Sequence, residues 1–130
     1  ILLTTGPMRS KVELLNSCRL LANKGYNLFA TKGTAQFLSM NGIDSTILFW
    51  PDEDEKPNTL DYLKNKVIDL VINIPKDLTS SELSNDYIIR RSAVDYNIPL
   101  ITNGRLASAF LIAICTLNTE DIAIKSWDEY

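Results

Sequence analysis

Apolar runs and helix-patterned segments alternate from one end of this chain to the other. That alternation constrains the fold more than any other feature, because it is the sequence mark of a parallel sheet covered by helices on both faces. Ile1 to Thr5 reads as the first strand. Ser10-x-x-Glu13 has the form of a capping box, opening a helix with Leu14, Leu15, Cys18 and Leu21 on one face, and Gly25 stands at the C′ place that ends it. Tyr26 to Thr31 is the second strand, and the helix after it, with Phe37, Leu38 and Met40 on its apolar side, stops at Asn41-Gly42. Ile43 to Phe49 is a third, less regular strand. Trp50-Pro51 breaks the pattern, and Asp52 to Asn58 reads as an acidic surface loop before a short helix through Leu60 and Leu63. Val67 to Asn73, apolar at nearly every position but Asp69, belongs at the centre of the sheet. Pro75 to Asn85 has no periodicity and reads as a loop, followed by a helix from Asp86 to Tyr96, a fifth strand from Ile98 to Thr102 and a final helix from Asn103 to Thr116. The expected fold is α/β: one domain over residues 1–117, a five-stranded parallel sheet in a flavodoxin-like or Rossmann-like three-layer sandwich, with 118–130 as a tail.

Ligands in such sheets bind where strands end at a topological switch, and Thr5, Thr31, Trp50, Asn73 and Asn103 all fall at strand C-ends, where one crevice should see them. Phe29-Ala30-Thr31-Lys32-Gly33-Thr34-Ala35 is the most telling of these junctions: a buried strand turns through a glycine, two hydroxyls and a lysine into a helix. Backbone N–H groups at a helix start lack intrahelical partners and lie at the positive end of the dipole, so they can hold a phosphate or carboxylate. Gly33 permits close approach, Thr31 and Thr34 can donate hydroxyls, and Lys32 adds charge. The plainer alternative is that one of the threonines merely caps the helix. Lys11 is either a surface lysine or, carried by the end of strand one, a neighbour of the same crevice.

Composition narrows the chemistry. There is no histidine, which removes the commonest general base, the commonest metal ligand and the usual partner of a Ser or Cys nucleophile. No spacing resembles a zinc or calcium site, and neither a P-loop nor a dinucleotide fingerprint occurs, so no cofactor, metal or catalytic residue is expected in this domain. The acidic run Asp52 to Glu55 is most simply a solvated loop rather than a pair of catalytic carboxylates. A net charge of −3 and scattered basic residues argue against nucleic acid, and no apolar stretch is long enough for a membrane span. Cys18 and Cys115 sit in apolar helix patterns, as buried thiols of a reducing, cytoplasmic compartment would. The opening Ile1-Leu2-Leu3, without an initiator methionine or a basic segment, reads as a domain excised from a longer polypeptide.

The ordered set Lys11, Ala30-Thr31-Lys32-Gly33-Thr34-Ala35, Trp50-Pro51, Val71-Ile72-Asn73-Ile74-Pro75 and Ile89-Arg90-Arg91-Ser92-Ala93 resembles the methylglyoxal synthase-like fold, and within it the C-terminal allosteric domain of the carbamoyl phosphate synthetase large chain. The Ala-Thr-x-Gly-Thr-Ala piece is shared across the fold superfamily; the I-N-x-P and I-R-R-[ST]-A pieces point to the synthetase branch. The resemblance implies a regulatory, non-enzymatic fragment. Its parent would be an ATP-dependent ligase, with upstream catalytic domains and a glutaminase subunit or domain as partners. It implies that Thr31, Thr34 and the N–H groups around Gly33 bind the anionic end of a small effector beside Lys11 and Lys32, and that Asn73 hydrogen-bonds it from the central strand. Trp50 would wall the pocket or plug the core; Lys76, Arg90 and Arg91 would lie behind the site or at the interdomain surface, one arginine inward and one outward. A nucleotide such as UMP or IMP is favoured over N-acetylglutamate, since Lys32 suits a phosphate and Lys76 with the Leu78 to Asn85 stretch lacks the asparagines associated with acetylglutamate. The alternative is a free-standing methylglyoxal synthase acting on dihydroxyacetone phosphate, whose Gly-Gly-Asp setting and histidine are both missing here.

Overall fold

Where a strand begins after a helix in this chain is decided by whether the backbone N–H joins a ladder or closes that helix. The computed structural model describes residues 1–75 and 80–129, apart from the side chains at 80–83 and 119. Five parallel strands, β1 (Leu2–Thr5), β2 (Phe29–Ala30), β3 (Thr46–Ile47), β4 (Val71–Ile74) and β5 (Leu100–Ile101), lie in the order β3-β2-β1-β4-β5. The helices between them are α1 (Met8–Asn23), α2 (Lys32–Met40), α3 (Thr59–Lys64), α4 (Ser80–Asp95) and α5 (Gly104–Thr116).

The strands are shorter than the apolar runs for one shared reason. Helices α1, α2, α3 and α4 each end with a positive-φ residue, Gly25, Gly42, Lys66 and Asn97 respectively. The apolar residue that follows then donates back into the helix: Tyr26 to Leu21, Ile43 to Leu38, Val67 to Tyr62 and Ile98 to Ala93, at 3.1, 2.9, 3.0 and 2.8 Å. These are Schellman closures. Tyr26, Ile43, Val67 and Ile98, expected as first residues of strands, are thus the last clasps of helices, and the ladders begin three residues later for β2 and β3, four for β4 and two for β5.

Two further expectations are corrected. The Ser10-x-x-Glu13 capping box does not form, because α1 already starts at Met8 with Pro7 as its N-cap; Glu13 instead faces Arg9 at 3.6 Å. The stretch read as a loop up to Asn85 is helical from Ser80, so Arg90 and Arg91 sit in the body of α4 rather than at its start. Polar residues such as the exposed Ser84 carry no apolar period by which a helical start could be recognised. Met40 is exposed as well, leaving Leu38 buried and Phe37 half-buried on the inner face of α2.

Alternation along the strands divides the core in two. Leu3, Ala30 and Ile72 face a layer built by Leu14, Cys18 and Leu21 of α1, Ala35 and Leu38 of α2, and Ala107, Leu111 and Cys115 of α5. Leu2 and Val71 face Leu63 of α3 with Ile89 and Ala93 of α4. Both cysteines are free and buried, and burial pushes the Cys18 thiol up to about 12. After Thr116 the chain forms two short 3-10 turns, Thr119–Asp121 and Trp127–Glu129, with Ile124 and Trp127 exposed. None of the helices, among the described residues, is long and apolar enough to cross a membrane.

Candidate functional site

The sheet reverses direction of growth at β1: the chain moves outward to β2 and β3, then returns to place β4 on the other side. Loops after β1 and β4 therefore diverge and leave a crevice at their C-terminal ends. Thr5, Lys11, Gly33, Thr34, Trp50 and Asp86 are among the residues lining the cavity of about 200 Å³ found there.

One wall is the start of α2. Thr31 is the N-cap in extended conformation, and its carbonyl accepts from Ala35 N at 2.9 Å, but its side chain makes no capping bond. Lys32, Gly33 and Thr34 supply the first-turn N–H groups that helix geometry leaves without an intrahelical acceptor. Thr34 fixes this turn against β1: its Oγ1 donates to Thr5 O at 3.0 Å and accepts from Thr5 N at 3.1 Å. Its one hydroxyl proton is thereby occupied, so Thr34 serves the site through its backbone and its position. Lys11, from the first turns of α1, brings Nζ to 3.7 Å from the place a Cβ would take on Gly33, which puts an ammonium over the same helix end. Beside them Thr5 Oγ1 is buried and has no hydrogen-bond partner among the described residues. A buried hydroxyl in that state is unusual, and its cost is recovered if a ligand atom completes it.

The opposite wall belongs to β4 and α4. Asn73, fully buried on β4, donates through Nδ2 to Thr4 Oγ1 and to Asp86 Oδ1, the latter at 2.7 Å, and accepts from Arg90 Nη1 at 3.0 Å. Burial pushes the Asp86 carboxyl above its ordinary range, opposed by the Asn73 hydrogen bond and the Arg90 charge. Trp50 closes a third side. It is half-buried, packing on the Leu2 and Leu63 layer while also lining the cavity, so it is wall and core at once. Asn58 holds that loop: its Nδ2 donates to Trp50 O at 2.8 Å and Glu53 O at 3.1 Å, while its Oδ1 caps α3 by accepting from Leu60 N at 2.9 Å.

Of the residues singled out from sequence, the structure brings Lys11, Thr31, Gly33, Thr34 and Trp50 together around the cavity. Lys32 is exposed and lies outside the lining. Asn73 also lies outside it, behind Thr4 and Asp86, which do line it. Arg90 faces Asn73, whereas Arg91 points outward and pairs with Asp95 at 3.2 Å. Lys76 falls outside the described residues. Asn103 does not face the crevice; it caps α5, its Oδ1 accepting from Leu106 N at 2.9 Å. Thr5 lines the cavity as its place at a strand end led one to expect, although no ligand role was read for it, and Thr4, Gly6, Ile74 and Asp86 line it without having been singled out. Asp86 shares a helical face with Ile89 and Ala93, both buried, and that i, i+3, i+7 spacing was the signal available for it.

Residues 13–102 match the family model of the MGS-like domain. The multifunctional protein URA2 of Saccharomyces cerevisiae is 42% identical over 132 residues, covering 95% of this chain and 6% of its own length. A carbamoyl phosphate synthase large chain from Methanoculleus marisnigri is 38% identical over 121 residues, covering 92% of this chain and 11% of its own length. The mitochondrial carbamoyl-phosphate synthase [ammonia] of Homo sapiens is 37% identical over 106 residues, covering 78% of this chain and 7% of its own length. The chain thus spans a small fraction of each of these relatives. A crystal structure of methylglyoxal synthase from Elizabethkingia anophelis has the same fold, with a TM-score of 0.59 at 18% identity, covering 85% of this chain and 75% of that one.

Proposed function

We propose that this chain, which belongs to the MGS-like domain family, is the allosteric effector-binding domain of a carbamoyl phosphate synthetase. It binds a small anionic effector, of which a phosphate-bearing nucleotide such as UMP or IMP suits the site better than N-acetylglutamate. One observation carries the reading: the first turn of α2, the Lys11 ammonium and the Thr5 hydroxyl, which has no partner among the described residues, meet in one cavity at the switch point of the sheet. A helix start alone would be weak support. The Thr5 hydroxyl, buried against the same cavity with no hydrogen-bond partner among the described residues, is a group that a ligand atom would complete.

The work done on binding is regulatory. The difference in binding energy between two states of the parent enzyme passes to ATP-dependent catalytic domains of the same polypeptide, with a glutaminase partner, in a cytoplasmic setting. Couplings of this kind run about 1–3 kcal/mol, or roughly 5- to 150-fold in apparent affinity. The outward Arg91 is the coupling candidate of the arginine pair, since Arg90 is held against Asn73 inside.

The test is isothermal titration of UMP, IMP, ornithine, N-acetylglutamate and inorganic phosphate into the wild type and Lys11→Met. We expect a phosphate-bearing ligand to bind the wild type and to lose roughly tenfold in affinity on loss of the ammonium, the size expected of one charge-assisted contact. Wild-type affinity in the variant removes Lys11 from the site. Phosphate release from dihydroxyacetone phosphate by this chain would replace the regulatory reading with the synthase one.

A further inference from the structure

The effector crevice occupies the C-terminal ends of the strands; their N-terminal ends frame a second hollow, of about 450 Å³. Ile1, Tyr26, Phe29, Val67, Phe110 and Ile114 are among the residues lining it. Tyr26, Val67 and Phe110 are 43%, 47% and 42% exposed, so three large apolar side chains from separate parts of the chain stand half-open around one space. A contiguous apolar patch of this kind marks an interaction site. The tail does not cover it, for these exposures hold with Ile124 and Trp127 themselves left in solvent. The start of β1 points into the hollow. Its ladder with β2 runs on past Leu2: Phe29 N donates to Ile1 O at 2.8 Å, and Ile1 N donates to Asn27 O at 2.9 Å. On the other side Leu2 N donates to Leu70 O at 2.9 Å. A polypeptide arriving at Ile1 is therefore aimed between Asn27 and Asp69, both on the rim. Burial disfavours an ammonium at Ile1 N and pushes its pKa down, with Asp69 opposing; a peptide N–H makes the same bond to Asn27 with no charge to desolvate.

We propose that this hollow is the seat of the polypeptide segment that leads into Ile1 in the parent enzyme: an extended, apolar segment that prolongs β1 and buries Tyr26, Val67 and Phe110. The proposal rests on the multidomain reading above, and the relatives point the same way, since this chain spans 6% of the length of URA2 and 11% of the synthase large chain. Side chains alternate along an extended strand, so every second residue of the arriving segment falls on the face of Ile1, whose neighbours include Ile114. The residues between fall on the face of Leu2, on the side of Phe29. The joint is then packed rather than a flexible tether, and it fixes the orientation of the domain relative to the polypeptide before it.

The experiment follows thiol labelling by mass spectrometry in Tyr26→Cys and Phe110→Cys, with Met40→Cys, exposed on α2, as the control. The native Cys18 and Cys115 are buried. Each variant is made in this chain, in this chain extended before Ile1 by the parent's preceding segment of roughly ten residues, about 33 Å when extended, and in the full parent enzyme. Melting curves verify folding. Labelling at positions 26 and 110 should slow by roughly tenfold or more in the extended chain and in the parent, because a covered site reacts only when it opens, while the control keeps its rate in the extended chain. Equal rates in all three forms overturn the proposal. So does slowing confined to the parent, which gives the hollow to another domain, or slowing that grows with the concentration of this chain, which gives it to a second copy. Protection already present in this chain and lost on removing residues 118–130 gives the hollow to the tail and overturns the proposal as well. A native polypeptide that starts at Ile1 ends the multidomain reading and this proposal together. No ligand enters these rates, so they fail or succeed separately from the effector titrations above.

Discussion

Thr5 and Thr34 face each other across the junction of β1 and α2, and their hydroxyls have opposite energetic signs. Thr34 Oγ1 serves both the N–H and the carbonyl of Thr5, so Thr34→Val leaves two buried backbone groups unpaired. That substitution should destabilise the chain by about 1–3 kcal/mol, measured by denaturant unfolding. Thr5 Oγ1 is itself buried without a partner among the described residues, so Thr5→Val removes an unpaired polar atom at constant shape. We expect unchanged or slightly higher stability together with weaker binding of the phosphate-bearing ligand. If Thr5→Val unfolds the chain, or leaves binding intact, the hydroxyl is not reserved for a ligand. Sequence placed both threonines at strand ends, but it could not say which hydroxyl the fold had already used: that depends on a contact between residues 29 positions apart.

At the scale of elements, the loop from Trp50 to Asn58 is tied together through one side chain. Asn58 clasps Trp50 and Glu53 with its amide and caps α3 with its oxygen. Asn58→Ala should cost about 1–2 kcal/mol, the range for a lost cap, and should loosen the Trp50 wall. Effector affinity should drop although residue 58 does not line the cavity; full affinity in the variant would show that Trp50 is held by its packing alone. The order of strands and helices was legible from apolar runs, and the anion site from the Thr31 to Thr34 junction. The boundaries were not. Tyr26, Ile43, Val67 and Ile98 each follow a left-handed turn and close a Schellman motif, Ile43 and Ile98 buried and Tyr26 and Val67 exposed, and in sequence such an apolar residue looks like the first of a strand. Asp86 escaped notice for a related reason: with α4 thought to begin there, an aspartate was an ordinary helix start, whereas six residues into the helix it is a charge carried to the edge of the core.

For the molecule as a whole, Cys18 provides a readout of its integrity. Its thiol is 1% exposed and holds its proton to about 12, against 9.0 for an unperturbed thiol. Above the lower value the unfolded chain releases this proton while the native chain keeps it, so the native state binds more protons and stability falls as pH rises from 9.0 toward about 12. Cys18→Ala should flatten that alkaline decline, seen as melting temperatures that depend less on pH; an unchanged slope would assign the decline to other groups. At neutral pH a thiol reagent should modify Cys18 only at the rate at which the chain opens. The strand order carries a consequence for how such a chain is made. β1 pairs with β2 soon after both exist, but its other edge waits for β4, and Thr4 meets Asn73 across 69 positions of sequence. During synthesis, then, the strand that will lie at the middle of the sheet is for a long interval an uncovered edge, open to pairing with a neighbouring nascent chain. The ligand crevice, lined from Thr4 to Asp86, likewise cannot close until α4 has been made.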